Sequence, residues 1–241
     1  MGYIEKCVSL RCNLGSRYRA LQTPCLPRRN NLWENNLSNM TITDELIQFW
    51  FGTLDTTAEV DKREVWFKAT PEFDASIAYK FTDAYEQAAN SKLDYLANDQ
   101  FGCLTLIILL DQIPRNLFRH SGKAYATDDK ALSVARGGLE NGYDRNMSSW
   151  HKVFFYLPFE HSENINDQNF SVQLFKSLEF ESAIEAAIDH QKIIKKFGRF
   201  PYRNVALGRT STPEEKEFLK TPPPWGKTKA EFDELVRKKA G

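Results

Sequence analysis

The 241-residue chain is 41% hydrophobic and 13% aromatic, which is enough apolar surface for a sizeable core and excludes an intrinsically disordered protein. Its 32 basic and 32 acidic side chains give a net charge of zero, so charge does not favour nucleic acid or a membrane surface as a partner. The longest apolar run, Leu104–Leu110, is far shorter than the roughly 20 residues of a transmembrane helix.

Residues 1–39 differ in composition from the rest of the chain. They carry six basic and two acidic groups, a net charge of +4, whereas residues 40–241 carry a net charge of −4. This Arg-rich segment has no apolar stretch of secretory-signal length and is compatible with an organellar transit peptide, although Pro24 and Pro27 would interrupt its amphipathic helix. We therefore favour a disordered leader, or an upstream start with Met40 as the functional initiator.

Cysteine usage indicates a reducing compartment. Cys7, Cys12 and Cys25 lie in the leader, and Cys103 alone lies in the body, beside an apolar run where a thiol behaves as a small hydrophobe. The body therefore contains no disulfide framework. The sequence predicts a cytoplasmic protein unless residues 1–39 direct import into an organelle.

From Met40 onward, apolar residues recur at helical spacing, and no alternating strand pattern occurs. Thr43 is predicted to cap a helix over residues 44–51, and Pro71 to begin the next. Residues 104–113 are apolar on nearly every side, which predicts a buried central helix that ends at Pro114. Two further helices are predicted, one from Asp128 or Asp129 to the Gly142 region and one from Met147 to Leu157, where Pro158 ends it.

The second half of the body continues in the same way. Helices are predicted over residues 166–178 and 181–197, with Gly198 as a left-handed stop. Thr212 and Glu215 form a predicted capping box that begins a helix over residues 214–219. Residues 40–220 are thus predicted to form one all-α domain of stacked antiparallel helix pairs, a bundle or a solenoid, followed within 221–241 by a proline-rich break and a charged helix over 229–238.

Three segments depart from the amphipathic pattern, and the first follows the central helix. Asp111, Gln112, Arg115 and Asn116 lie at the end of the most apolar run in the chain. A helix terminus explains them structurally, because such groups pair with neighbours or form turns. A ligand site is the alternative, because polar groups at that depth need partners.

The second segment surrounds Pro158. His161 is a candidate acid or base near neutral pH, and Glu163 is a candidate to orient it or to act as the base. Metal binding by His161 and Glu163, completed by Glu160 or His190, lacks the spacing of known zinc motifs, and we predict no metal. The structural alternative is a helix cap at Ser162.

The third segment combines basic and aromatic residues after the predicted helix end at Gly198. Arg199, Arg203 and Asn204 lie in a loop that Pro201 stiffens, which is typical of guanidinium groups held for a carboxylate or phosphate. Basic and aromatic residues together also suit single-stranded nucleic acid, but the net acidic body does not favour it.

Six blocks in one order carry a family resemblance over roughly residues 43–220. They are Phe49-Trp50-Phe51-Gly52, Trp66-Phe67, Leu109-Leu110-Asp111-Gln112-Ile113-Pro114-Arg115-Asn116, Leu157-Pro158 with His161-Ser162-Glu163, Phe197-Gly198-Arg199-Phe200-Pro201 with Arg203-Asn204, and Leu207-Gly208-Arg209 with Ser211-Thr212 and Glu214-Glu215. The chain resembles the domain of unknown function 924 family. The resemblance implies an all-helical fold similar to tetratricopeptide-repeat stacks and implies no particular activity. Tyr202 stands where the family pattern is expected to have a second histidine, and Gln191 where arginine is expected.

Two classes of function are consistent with these observations. In the first, Asp111, Arg115, Asn116, His161, Glu163, Arg199, Arg203 and Asn204 converge on one polar pocket that holds a small anionic ligand, with His161 or Glu163 as acid and base and with no cofactor identified. In the second, a helical-repeat scaffold binds a peptide or protein in its groove. Clustering of the polar residues at helix ends favours the first class. The competing explanation for the cluster is a purely structural network of salt bridges that ties three loops together.

Overall fold

A computed structural model describes residues 40–178, 180–221, 223, 234 and 237, all within the unit Met40–Gly241. Its described residues contain helices and turns and no strand, so the all-α prediction is confirmed. The predicted leader over residues 1–39 and most of the predicted helix over 229–238 lie outside the described residues. None of the described helices has the length and hydrophobicity that crossing a membrane requires.

The described helices follow the predicted order. We number them α1 to α9, and their bounds are α1 Ile42–Phe51, α2 Pro71–Ala89, α3 Gln100–Ile107, α4 Ile113–Leu117, α5 Asp128–Glu140, α6 Ser149–His161, α7 Ile165–Lys176, α8 Glu181–Phe197 and α9 Pro213–Phe218. A π-helical turn, Ile108–Gln112, joins α3 to α4 without a break. Short 3-10 turns lie at Glu64–Trp66, Asp94–Asn98, Gly122–Tyr125 and Pro201–Arg203.

The apolar run from Leu104 to Leu110 occupies the centre of the domain, as predicted. Every residue in it has no solvent exposure. Helix α3 contacts α1, α5 and α6, and the π-helical turn that follows contacts α2. A helix surrounded on all sides needs apolar residues on all sides, which explains why this run lacks a polar face.

The prediction that Pro114 ends the central helix is wrong. Proline removes the N–H that would bond the carbonyl four residues earlier, which is that of Leu110. The hydroxyl of Thr127 donates a hydrogen bond to this carbonyl at 2.5 Å, so the freed acceptor keeps a partner inside the core. The chain is helical on both sides of Pro114, and Asp111 lies in the π-helical turn that precedes it.

Pro158 also lies within a helix, so the predicted end of α6 at Leu157 is wrong. Helix α6 continues to His161, and its last turns are closed by Gln168, whose amide donates to the carbonyls of Glu160 and Ser162 at 2.6 and 2.7 Å. The extra turn places Glu160 and His161 on helical backbone at one end of the domain.

Several predicted helix ends are confirmed, and one helix begins two residues earlier than predicted. Gly198 ends α8 with φ of 68°, and Thr212 with Glu215 forms the capping box of α9. The first cap is Thr41 rather than Thr43. The hydroxyl of Thr41 accepts a hydrogen bond from the Asp44 N–H at 3.2 Å, and the Thr41 N–H donates to the carboxylate of Asp44 at 3.0 Å.

Candidate active site

The π-helical turn and the end of α6 meet at a buried pair of side chains. Nδ1 of His161 lies 2.8 Å from Oδ1 and 3.0 Å from Oδ2 of Asp111. Asp111 has no solvent exposure and also accepts a hydrogen bond from the Gln112 amide. Burial alone would raise the pKa of Asp111, but the charge of Arg115 and the hydrogen bonds from His161 and Gln112 hold that pKa below its ordinary value.

His161 is a neutral imidazole with one free acceptor. Burial, and then the positive charge of Arg115, lower the pKa of His161 and outweigh the opposing effect of Asp111. Because Asp111 is ionised, Nδ1 of the neutral ring carries the hydrogen and donates it to the carboxylate. Nε2 then has a lone pair, and no described residue hydrogen-bonds to it.

Two arginines from different elements share one carboxylate beside this pair. Arg115 of α4 donates to both oxygens of Asp128 at 2.8 and 3.0 Å, and Arg203 reaches Oδ2 of Asp128 at 3.2 Å. The guanidinium of Arg203 lies 4.6 Å from the ring centres of both Tyr125 and Phe200. Arg203 is 5% exposed, and its Nε has no hydrogen-bond partner among the described residues.

Arg115, His161 and Arg203 line a cavity of about 300 Å³. Its polar side includes Gln112, Arg115, Arg119, Glu160, His161 and Arg203, and its apolar side includes Trp66, Phe67, Ala69 and Leu157. Small-molecule sites in proteins combine an apolar lining with a few converging polar groups in this way, and this volume is at the lower end of their range.

Asn116 lines the same cavity but has a structural bond. Its amide donates to Oδ1 of Asp74 at 2.8 Å, and Arg119 forms a bidentate pair with the same carboxylate at 2.8 and 2.9 Å. The carboxylate of Asp74 thus fixes both side chains at the wall.

Glu160 and His190 form a second buried pair in the wall. Nδ1 of His190 lies 3.4 Å from Oε1 of Glu160, and both residues are under 5% exposed. Burial, then the negative charge of Asp111, raises the pKa of Glu160 to about 8, and burial lowers the pKa of His190 to about 3. From the sequence, Glu160 and His190 were candidates only to complete a metal site. Among the described residues, no three histidine, cysteine or acidic side chains converge as a metal site.

Of the eight polar residues predicted to share one pocket, Arg115, Asn116, His161 and Arg203 line the cavity, and Asp111 lies behind His161. Glu163, Arg199 and Asn204 lie outside the lining. Glu163 follows the extended Ser162 and pairs with Arg209 at 2.7 and 3.0 Å instead of with His161. It also accepts a hydrogen bond from the Phe200 N–H at 2.8 Å. This pair therefore holds the start of the loop that leads to Arg203.

Arg199 and Asn204 both donate hydrogen bonds to the carboxylate of Glu215. Arg199 forms a bidentate pair with Glu215 at 2.7 and 2.8 Å, and the Asn204 amide reaches the same side chain at 3.2 Å. The hydrogen bond from Arg199 is the largest factor that lowers the pKa of Glu215, to about 2. None of Glu163, Arg199 and Asn204 lines the cavity, because each is already bound within the loop that supports it.

The family model described as "Bacterial protein of unknown function (DUF924)" matches residues 46–223. The chain belongs to the DUF924 family. A solved structure, that of the protein of unknown function ATU0120 from Agrobacterium tumefaciens, is similar at 35% sequence identity and a TM-score of 0.68, covering 75% of this chain and 98% of that one. No curated protein matches this chain. The family resemblance read from the six sequence blocks is therefore confirmed.

Proposed function

We propose that this DUF924 protein binds a small organic anion in the cavity between α4, α6 and the Pro201–Arg203 turn, and that His161 acts on the bound molecule as an acid or base. The observation that carries the proposal is the Nε of Arg203, a buried donor that no described residue accepts from, in a side chain that lines the cavity. A buried donor without a partner costs free energy in the empty protein, and an anionic oxygen placed there would recover it.

His161 supplies the chemical group of the proposed site. Its Nδ1 is engaged by Asp111, which fixes the ring and leaves Nε2 to accept a proton from an O–H or N–H of the ligand or from a water molecule. This is the orientation role that a buried carboxylate has toward a histidine base. In this proposal Asp111, and not Glu163 as the sequence suggested, orients the imidazole of His161. Glu163 instead binds the loop through Arg209 and the Phe200 N–H.

The main alternative is a tetratricopeptide-repeat-like scaffold with a peptide in its groove. The convergence of Arg115, His161 and Arg203 on one cavity of about 300 Å³ supports a small ligand over an extended peptide. Arg199 and Asn204 contribute indirectly in this proposal, through the loop that carries Arg203.

Thermal shift with three anions tests the proposal: inorganic phosphate, phenyl phosphate and 3-phenyllactate, which joins a carboxylate and a hydroxyl to an apolar ring. A ligand at a hundredfold excess over its Kd adds about 2.7 kcal/mol of stability. For a domain of this size, that raises Tm by about 5 to 11 °C. Failure of all three anions to raise Tm would refute the proposal.

Matched variants locate the site by calorimetry. Arg203→Gln should weaken anion binding by about 10- to 150-fold, since a hydrogen bond to a charged group contributes about 1.5 to 3 kcal/mol. Arg136→Gln is the control, because Arg136 pairs with Asp167 on a half-exposed surface outside the cavity. His161→Gln should weaken 3-phenyllactate by about fivefold, the loss of one neutral hydrogen bond, and should leave 3-phenylpropionate, which lacks the hydroxyl, unchanged. Equal effects of Arg203→Gln and Arg136→Gln would contradict the placement.

A further inference from the structure

The buried carboxyl group of Glu160 lies beside an imidazole and, in the part of the chain that the structure describes, has no lysine or arginine to balance a negative charge. It lies in the last turn of α6, lines the cavity and is 4% exposed. Within the described residues, no lysine or arginine forms an ion pair with it, and its side chain makes no hydrogen bond. Buried glutamates are rare unless they are paired, because an isolated ion loses its hydration without compensation.

The neighbouring imidazole does not supply that balancing charge. Nδ1 of His190 lies 2.8 Å from the carbonyl oxygen of Ala186, one turn earlier in α8, so its N–H donates to the backbone. Burial lowers the pKa of His190 to about 3, and the ring is neutral at neutral pH. An uncharged carboxyl beside an uncharged imidazole is the arrangement that a low-dielectric site favours.

An uncharged carboxyl group has a hydrogen to donate. With its pKa raised to about 8, first by burial and then by the charge of Asp111, Glu160 is protonated at neutral pH. Glu160 lines the same cavity as Arg203, whose buried Nε has no hydrogen-bond partner among the described residues. An anionic oxygen can accept from both groups, whereas an ionised Glu160 would repel it.

We propose that Glu160 serves as a protonated carboxylic acid that donates a hydrogen bond to an oxygen of the bound ligand, and that the pocket therefore selects organic oxyanions, carboxylates or phosphate monoesters, and releases them when Glu160 ionises. This inference rests on the proposed function, because it specifies how the same cavity holds its anion. It makes Glu160 a second selective group beside Arg203.

Other ionisable groups also face Glu160 or the cavity around it. They come from every element packed there: Asp111 in the π-helical turn, Arg115 in α4, Arg119 and His120 after α4, Tyr125 in the Gly122–Tyr125 turn, His161 in α6, His190 in α8, and Tyr202 and Arg203 in the Pro201–Arg203 turn. All of them remain when Glu160 is replaced. A pH dependence that disappears in Glu160→Gln therefore belongs to Glu160.

Calorimetric titration with 3-phenyllactate from about pH 7 to about pH 9.5 tests the inference. In the unmodified protein, Kd should rise by about tenfold per pH unit above pH 8, the region of the raised pKa. Glu160→Gln, which keeps an N–H donor and cannot ionise, should bind with a Kd that does not vary over this range. Glu140→Gln is the control, because Glu140 is exposed at the end of α5 and should retain the original slope. A parallel series with phenyl phosphate distinguishes the two classes of oxyanion.

Infrared difference spectroscopy of the ligand-free protein gives a second readout. The carbonyl band of a protonated carboxylic acid should be present at about pH 6.5, disappear by about pH 9.5 and be absent in Glu160→Gln. A flat Kd with binding intact, or the absence of this band, would overturn the role of Glu160 and leave the anion site standing. Loss of binding at every pH would instead refute the proposed function, while the band would still decide the protonation of Glu160. If Glu160→Gln does not fold, the slope of Kd in the unmodified protein decides the question.

Discussion

The buried carboxylate of Asp111 should be one of the most important single charges for stability. Asp111→Asn retains the shape of the side chain and removes the charge that faces His161 at 2.8 Å and Arg115 at 3.5 Å. Loss of one partner of a buried ion pair costs about 3 to 5 kcal/mol. Because Arg115 keeps its bidentate contact with Asp128, we expect the lower end, about 3 kcal/mol, and a fall in Tm of about 6 to 12 °C.

Urea denaturation followed by circular dichroism measures this loss, with Asp83→Asn as control. Asp83 is exposed in α2, so its replacement should change stability by less than about 0.5 kcal/mol. The pKa of Asp111 is lower in the folded protein than in the unfolded chain, so its stabilisation is present above about pH 4 and is lost as the pH falls further. The difference between Asp111→Asn and the unmodified protein should shrink in the same direction. A loss below about 1 kcal/mol at neutral pH, or a difference that grows in acid, would refute this account of the pair.

Two further predictions concern the support around the site. A Cβ at Gly138 would lie 2.5 Å from Cζ of Phe155 and 2.6 Å from Sγ of Cys103, so Gly138→Ala should cost about 1 to 3 kcal/mol in urea denaturation. Gly137→Ala, in the same helix with open space around it, should instead gain up to about 1 kcal/mol, and equal stabilities of the two variants would contradict the packing. The pKa of Glu215 is lowered to about 2, so its stabilisation is complete above about pH 4.5 and fades toward pH 2. The Tm difference between Glu215→Gln and the unmodified protein should therefore be smaller at about pH 3 than at about pH 6, and an equal difference at both would be contrary evidence.

Helix ends whose signals are local could be predicted from the sequence. Thr212 and Glu215 lie three residues apart and satisfy each other, and Gly198 adopts the left-handed conformation that its type favours. The effect of Pro114 could not be predicted in this way. Proline leaves the carbonyl of Leu110 without its helical partner, and Thr127, 17 residues away, donates the hydrogen bond that replaces it.

The composition of the site was only partly predictable for the same reason. Asp111 and His161 are 50 residues apart, and the sequence identified each as unusual without pairing them. His161 and Glu163 are near neighbours, yet the extended backbone at Ser162 separates their surroundings. From the sequence, Asp128 is an ordinary acidic residue at a helix N-terminus. Its ion pairs with Arg115 and Arg203 depend on the packing of α5 against the neighbouring turns, which the sequence pattern does not reveal.

A crystal structure of the protein with 3-phenyllactate tests the central claim most directly. We predict the carboxylate within hydrogen-bond distance of Nε of Arg203, the hydroxyl toward Nε2 of His161, and the ring against the apolar wall formed by Trp66 and Leu157. Ligand density at the pair of Arg199 and Glu215, with the cavity beside His161 empty, would contradict the claim.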